Sequence, residues 1–177
     1  TLITNNGNPI RKNLMTIAQN AWKKIGVKVT TQVFEWAVFL NDFVNTGDFD
    51  AVVLGWSMGI DPDLYQIWHS SQAGPQQLNF VGYNNPRADA LIVRIRQEYN
   101  RDRQRQLTHE LHRLIHEDQA YTFLYAPLST RVLDKKIVLV EEGPDGKEQY
   151  KKIYPTKSGD ITFYFHKWRK LEFTPDF

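Results

Sequence analysis

The chain has 177 residues, 41% hydrophobic and 24% charged, which allows one good core plus an appendage and is ordinary for a soluble globular protein. A formal net charge of +2 gives no electrostatic ground for nucleic-acid binding, and no apolar run approaches the ~18 residues that a membrane-spanning helix needs. Cysteine is absent, so disulfides, thiolate metal centres and cysteine nucleophiles are excluded within this chain, while 13% aromatic residues favour a β-rich core or an aromatic-lined pocket.

Thr1 to Thr4 reads as a strand and Asn5-Asn6-Gly7 as a turn. Asn8 then supplies a helix cap and Pro9 a first-turn proline; Ile10, Leu14, Ile17, Ala18, Ala21 and Ile25 recur at helical spacing until Gly26. Val27, Val29, Thr31 and Val33 alternate with polar residues, predicting a strand over 27–34. Trp36, Phe39, Leu40, Phe43 and Val44 repeat as an amphipathic helix that Gly47 ends. Ala51 to Leu54 is too short for a buried helix and right for a strand covered on both faces. The first half is therefore β-α-β-α-β, the alternation of a layered α/β lobe.

From Ser57 to Tyr83 the chain reads as loop, with one helical turn after Asp61-Pro62. Asn85-Pro86 starts a helix carrying Ala88, Leu91, Ile92 and Ile95 on one face; after a break near Asn100, Leu107, Leu111, Leu114 and Ile115 mark another. Tyr121 to Tyr125 reads as a strand ending at Pro127. In the last quarter, Ile137–Val140 and Tyr150–Tyr154 flank Gly143-Pro144-Asp145-Gly146 as a hairpin, and Ile161, Phe163 and Phe165 alternate as a final strand before a peripheral basic and aromatic tail. The expected organisation is an α/β lobe over residues 1–135 and a β-rich extension over 136–177, packing on that lobe or on an absent one. No signal peptide is visible, and the chain opens on a strand without lead-in, which predicts a start inside a larger protein.

Open α/β sheets bind ligands just beyond the carboxyl ends of their strands. The Ala51–Leu54 run ends in Gly55-Trp56, where the backbone is approachable beside a large aromatic surface, and continues into a loop carrying Asp61 and Asp63. Trp56 precedes Ser57-Met58-Gly59 rather than continuing the apolar run, so pocket lining suits it better than a core place. Trp36 shares a helical stripe with Phe39 and Phe43, which suits a core role equally. Asp61 before Pro62 is a good helix cap, and Asp63 a first-turn carboxylate.

The ordered pieces Glu35-Trp36, Gly47-Asp48-Phe49-Asp50, Leu54-Gly55-Trp56, Asp61-Pro62-Asp63 and Asn79 to Pro86 resemble the family 5 extracellular solute-binding proteins, as does His116-Glu117-Asp118-Gln119 before the Tyr121 segment. The likeness covers roughly residues 1 to 135. It implies one lobe of a periplasmic-binding-protein type II-like fold, belonging to the C-terminal portion of an extracytoplasmic receptor for peptides or related small solutes. The implied partners are the missing lobe and the membrane subunits of an ABC transporter; no cofactor is expected, and any signal sequence or lipid anchor would lie outside this chain. By the same resemblance Trp36 lines the ligand pocket, and Gly55, Trp56 and Ser57 offer backbone groups. Met58, Asn79, Phe80 and Tyr83 approach the pocket, although packing serves Asn79, Phe80 and Tyr83 as well. The family's ammonium-binding aspartate falls at Gly59 here, which leaves Asp61 as the nearby carboxylate.

The rival reading is a hydrolase or metal-dependent enzyme using Asp61, Asp63 and His109, His112 and His116. Asp63, His69, Ser70 and Ser71 lie in no nucleophile elbow. The three histidines sit opposite Leu107, Leu111 and Ile115 on a helical wheel, where a solvated face explains them. The Arg-rich stretch from Arg87 to Arg113 is interleaved with Asp89, Glu98, Asp102 and Glu110, the mixture that helix-surface ion pairs require.

Overall fold

The computed structural model describes residues 1–58, 63–128, 130–155 and 161–177. These fall into two compact units, Thr1–Phe123 and Leu124–Phe177. Asp61 lies outside the described residues.

The first unit is built on three parallel strands in the order β2-β1-β3: β1 (Leu2–Asn5), β2 (Thr31–Phe34) and β3 (Ala51–Val52). The expected strand at 27–34 begins only at Thr31, because β1 has just four residues to pair with it. The third strand is also shorter than the run Ala51–Leu54. Val53 still donates to the Ile3 carbonyl at 2.9 Å, and the buried Thr4 hydroxyl then donates to Val53 O at 2.8 Å, so a side chain takes over where the ladder stops.

Helix α1 (Pro9–Lys23) links β1 to β2 and starts as its cap dictates, with Asn8 Oδ1 accepting from Arg11 N at 3.1 Å. Helix α2 (Trp36–Val44) links β2 to β3. It begins as α and widens into π winding from Phe39, with Asn45 N donating to Leu40 O. The wider turn puts residues five apart on one face, so Phe39 and Val44 are both buried against Ile3. An ordinary α-helix would set them about 140° apart.

Helices α3 (Tyr65–Trp68), α4 (Pro86–Gln97) and α5 (Arg101–Asp118) form the rest of the unit around a second core of Trp68, Leu91, Ile92, Leu107, Leu111 and Ile115. Asn85 and Asn100 cap α4 and α5 through their side-chain oxygens, so Asn85-Pro86 starts a helix as expected and the break expected near Asn100 is itself a cap. Arg87 pairs with Glu110 across the helices at 2.7 Å, in keeping with the mixed-charge reading.

Residues Tyr121–Tyr125 take no ladder partner, contrary to the strand expectation; the Tyr121 and Phe123 rings instead pack toward Trp68. In the second unit the hairpin is present as β4 (Ile137–Glu142) and β5 (Glu148–Lys151). The alternating Ile161–Phe165 segment is not a strand. It winds into 3-10 turns interrupted at Tyr164, and the third place in the antiparallel sheet goes to β6 (Trp168–Lys170), beside β4. Local ring contacts, Phe163 on Tyr164 at 4.8 Å and Phe165 on Trp168 at 5.3 Å, satisfy the aromatic residues that gave the period-two signal.

Candidate functional site

All three strands run the same way, so their carboxyl ends share one edge of the first unit. The segment after β1 is Asn6–Asn8, that after β2 holds Glu35-Trp36, and that after β3 is Val53–Met58. With β1 in the middle, Trp36 and Trp56 leave the sheet from strands on either side of the asparagine loop.

Both tryptophans are exposed, Trp36 at 46% and Trp56 at 38% of full exposure, which argues against a core place for either. Glu35 accepts from Ala37 N at 2.8 Å and so fixes the helix start that carries Trp36. Trp56 stacks on Phe80, with centroids 5.6 Å apart and planes at 23°. Phe80 is held from behind by Phe49 at 6.2 Å and lies near-parallel to Tyr121 at 6.4 Å. Tyr121, absent from the sequence-based set, completes this aromatic plate against Trp68 at 4.4 Å. Its hydroxyl is buried and meets full hydrogen-bond geometry with no described residue; burial pushes its pKa up to about 12, an effect the neighbouring Trp56 indole N–H partly offsets. Gly55, Ser57 and Met58 are exposed beside the plate.

Asn79 and Tyr83 do not line this surface. Asn79 is fully buried, donates to His69 O (3.1 Å) and Tyr83 O (2.8 Å), and accepts from Tyr83 N (2.9 Å). Tyr83 is buried, and its hydroxyl donates to Asp118 at 2.6 Å. Of the two roles that the sequence leaves open for them, these bonds support packing: both residues hold the loop that presents Phe80. Asp63 accepts from Tyr65 N at 3.0 Å at the start of α3 and pairs with Arg96 at 3.3 Å, so its hydrogen bond and its charge already have partners.

The histidine–serine group has the residue types of a catalytic triad but the wrong geometry. Ser71 Oγ lies 2.9 Å from His69 Nδ1, and Asp89 Oδ1 faces that same nitrogen at 3.9 Å. A relay needs nucleophile and carboxylate on opposite ring nitrogens. Here His69 Nδ1 accepts from Ser71 N at 3.2 Å, and Asp89 accepts from the backbone and hydroxyl of Ser70, so the group caps a turn. His109, His112 and His116 all sit on the exposed face of α5.

Arg11 also belongs to this edge and was missed. Its Nη1 donates to Asn5 Oδ1 at 2.6 Å, and Nη2 stands 3.6 Å from the position a Cβ would take on Gly55. A signal for it existed: the first turn of α1 holds no acidic residue and carries Arg11 instead, although the positive end of a helix disfavours a cation.

Residues 1–77 match the family described as bacterial extracellular solute-binding proteins, family 5, middle region. The oligopeptide-binding protein AppA of Bacillus subtilis is 41% identical over 128 residues, spanning 72% of this chain and 23% of AppA. The heme-binding protein A of Haemophilus influenzae is 30% identical over 133 residues, spanning 71% of this chain and 24% of that protein. The solved structure of AppA with a nonapeptide superposes with a TM-score of 0.70 at 32% identity, covering 97% of this chain and 31% of AppA. The mixed α/β architecture is thus that of the type II periplasmic binding proteins, the class of protein to which this carboxyl-edge surface is suited. The chain belongs to the family 5 extracellular solute-binding proteins. It spans about a quarter of the length of the curated relatives it matches, 23% and 24% of the two named.

Proposed function

We propose that the protein containing this chain is the substrate-binding component of an ABC importer, acting outside the cytoplasm and capturing peptides or related small solutes between two lobes. The observation that carries this is the exposed Trp56 on its Phe80–Tyr121 support, set where the parallel strands end. Among the described strands β3 is an outer one, so the backbone of Val53–Met58 is available for a ligand to pair as an added strand. Main-chain pairing ignores side-chain identity, and the aromatic surface accepts side chains by area, which together favour broad specificity. Trp36, Gly55, Trp56, Ser57, Met58 and Phe80 form the contact set on this lobe. Asp61 is the proposed anchor for a ligand ammonium group. Closure of the second lobe excludes water and presents the loaded receptor to the membrane subunits.

Calorimetry of the parent protein against peptides of two to nine residues tests the reading. Micromolar or tighter binding without cleavage is expected, and Trp56→Ala should weaken it about 10- to 100-fold, the range of a central aromatic contact. Peptide hydrolysis, or binding indifferent to Trp56→Ala, would overturn the assignment.

A further inference from the structure

Trp56 has three rings behind it in series: Phe80 at 5.6 Å, Tyr121 at 6.4 Å from Phe80, and Trp68 at 4.4 Å from Tyr121. Stacking sets how far the indole stands from its support. It does not set which way the indole is turned, because a phenyl ring offers the indole N–H no directional partner and χ2 of tryptophan is a broad torsion. Turned over on Phe80, the indole would keep its contact area while its N–H moved to the other side of the stack. The directional group in this plate is the Tyr121 hydroxyl. Burial pushes the Tyr121 pKa up to about 12, and the Trp56 indole N–H is near enough to offset part of that rise. The two groups stand short of full hydrogen-bond geometry. Tyr121 is held by Phe80 and Trp68 with its oxygen buried, whereas Trp56 is 38% exposed and has the room to turn into the bond. An indole donates and cannot accept, so the pairing has one polarity: Trp56 donates and Tyr121 accepts.

We infer that Tyr121 is a positioning residue: its buried hydroxyl receives the Trp56 indole N–H and so selects one of the two ways the indole can lie on Phe80. The effect on affinity rests on the capture reading above; the bond itself forms with or without a ligand. A Trp56 held in one pose meets a ligand side chain already oriented, and less freedom is lost on binding. Tyr121 acts through Trp56 and needs no ligand contact of its own.

The test uses the parent protein labelled with 15N-tryptophan, and Trp56→Phe identifies the Trp56 indole signal by its loss. Tyr121→Phe keeps the ring and its stacking and removes only the oxygen. The Trp56 N–H resonance should then move upfield, and its exchange with solvent should speed up about tenfold or more. A purely structural Tyr121 would lower Tm and leave that resonance and its exchange unchanged, which overturns the inference. Affinity for a nonapeptide should fall about 3- to 10-fold in Tyr121→Phe, the range of one hydrogen bond, and no further when the same change is made in Trp56→Phe. Equal losses in both backgrounds sink it. If the parent protein binds no peptide, the capture reading falls, and the Trp56 resonance still decides the bond. If Tyr121→Phe does not fold, the wild type decides. Trp56 N–H exchange about tenfold or more slower than that of the exposed Trp36 supports the bond, and equal exchange overturns it.

Discussion

Phe80 turns one edge to Phe49 in the core of the first unit and one face to the exposed Trp56. Its position depends on Asn79, whose side chain ties the preceding and following turns together, so the bonding network and the contact surface are separable by mutation. Asn79→Ala strands the Tyr83 N–H and two carbonyls in a buried place and should cost about 2–4 kcal/mol of folding stability, measured by denaturant titration. Replacing the exposed Met58 with Ala should change stability by less than about 0.5 kcal/mol. A second residue-scale prediction concerns Asp118, whose carboxyl is held below the usual range by hydrogen bonds from the Tyr83 hydroxyl and from Asn85. A depressed folded-state pKa means the contribution is complete above the ordinary Asp value of about 3.9 and is lost as pH falls through the lower folded value. The Tm gap between wild type and Asp118→Asn should therefore be open at pH 6 and close progressively below about pH 4.

The pair α4 and α5 was readable in advance because two signals agree there: Asn85-Pro86 and the break near Asn100 mark the two starts, and Leu91, Ile92, Leu107 and Leu111 fall on inward stripes. Leu111→Ala should cost about 2–5 kcal/mol, whereas His112→Ala at the exposed neighbouring position should stay within about 0.5 kcal/mol, both by thermal or chemical unfolding. The three parallel strands were readable for the same reason of agreement between apolar pattern and flanking turns. Failures came where a local pattern was satisfied by something other than a ladder. Ile161–Phe165 alternates correctly, yet its rings find partners along the chain, and Trp168–Lys170 pairs with β4 instead. The π winding of α2 is masked in the sequence because Trp36, Phe39, Leu40, Phe43 and Val44 also recur at i, i+3, i+4, i+7 and i+8, with Phe39 and Val44 at opposite margins of that broad stripe. At the candidate site, Trp36 and Trp56 were legible through their neighbours in sequence. Tyr121 was not, since it reaches the edge from beyond α5; Arg11 left a mark in the acid-free first turn of α1, but only the fold brings it beside Gly55.

Both units leave apolar surface in water. On α1 and in the turn that ends it, Ile10, Ile17 and Ile25 are 53%, 63% and 75% exposed, and in the second unit Phe163, Phe165 and Phe173 are exposed as well. Among the described residues of that second unit, the buried apolar side chains are Val138 and Leu171, too few to hold some fifty residues unaided. Expressed by itself, the 177-residue chain should bind a hydrophobic dye and associate with rising concentration, as followed by fluorescence and light scattering. In a protein of its relatives' length the same faces should be covered and the dye signal lost. Binding should divide the same way: a pocket buries about 70–90% of a small ligand, and one lobe supplies only part of that wall. Calorimetry on the isolated chain should find no submicromolar ligand, and a tight complex there would count against a two-lobed clamp.

The central place of β1 also sets a timetable. Leu2, Ile3 and Thr4 leave the ribosome before either neighbouring strand exists, and the Thr4 hydroxyl meets its carbonyl partner 49 residues later. At about 5–20 residues per second that wait lasts roughly 2–10 s, while helices such as α4 and α5 coil within about a microsecond of emerging. A segment that ends buried is thus one that a nascent chain leaves bare for seconds, and proteases and chaperones have that time in which to reach it.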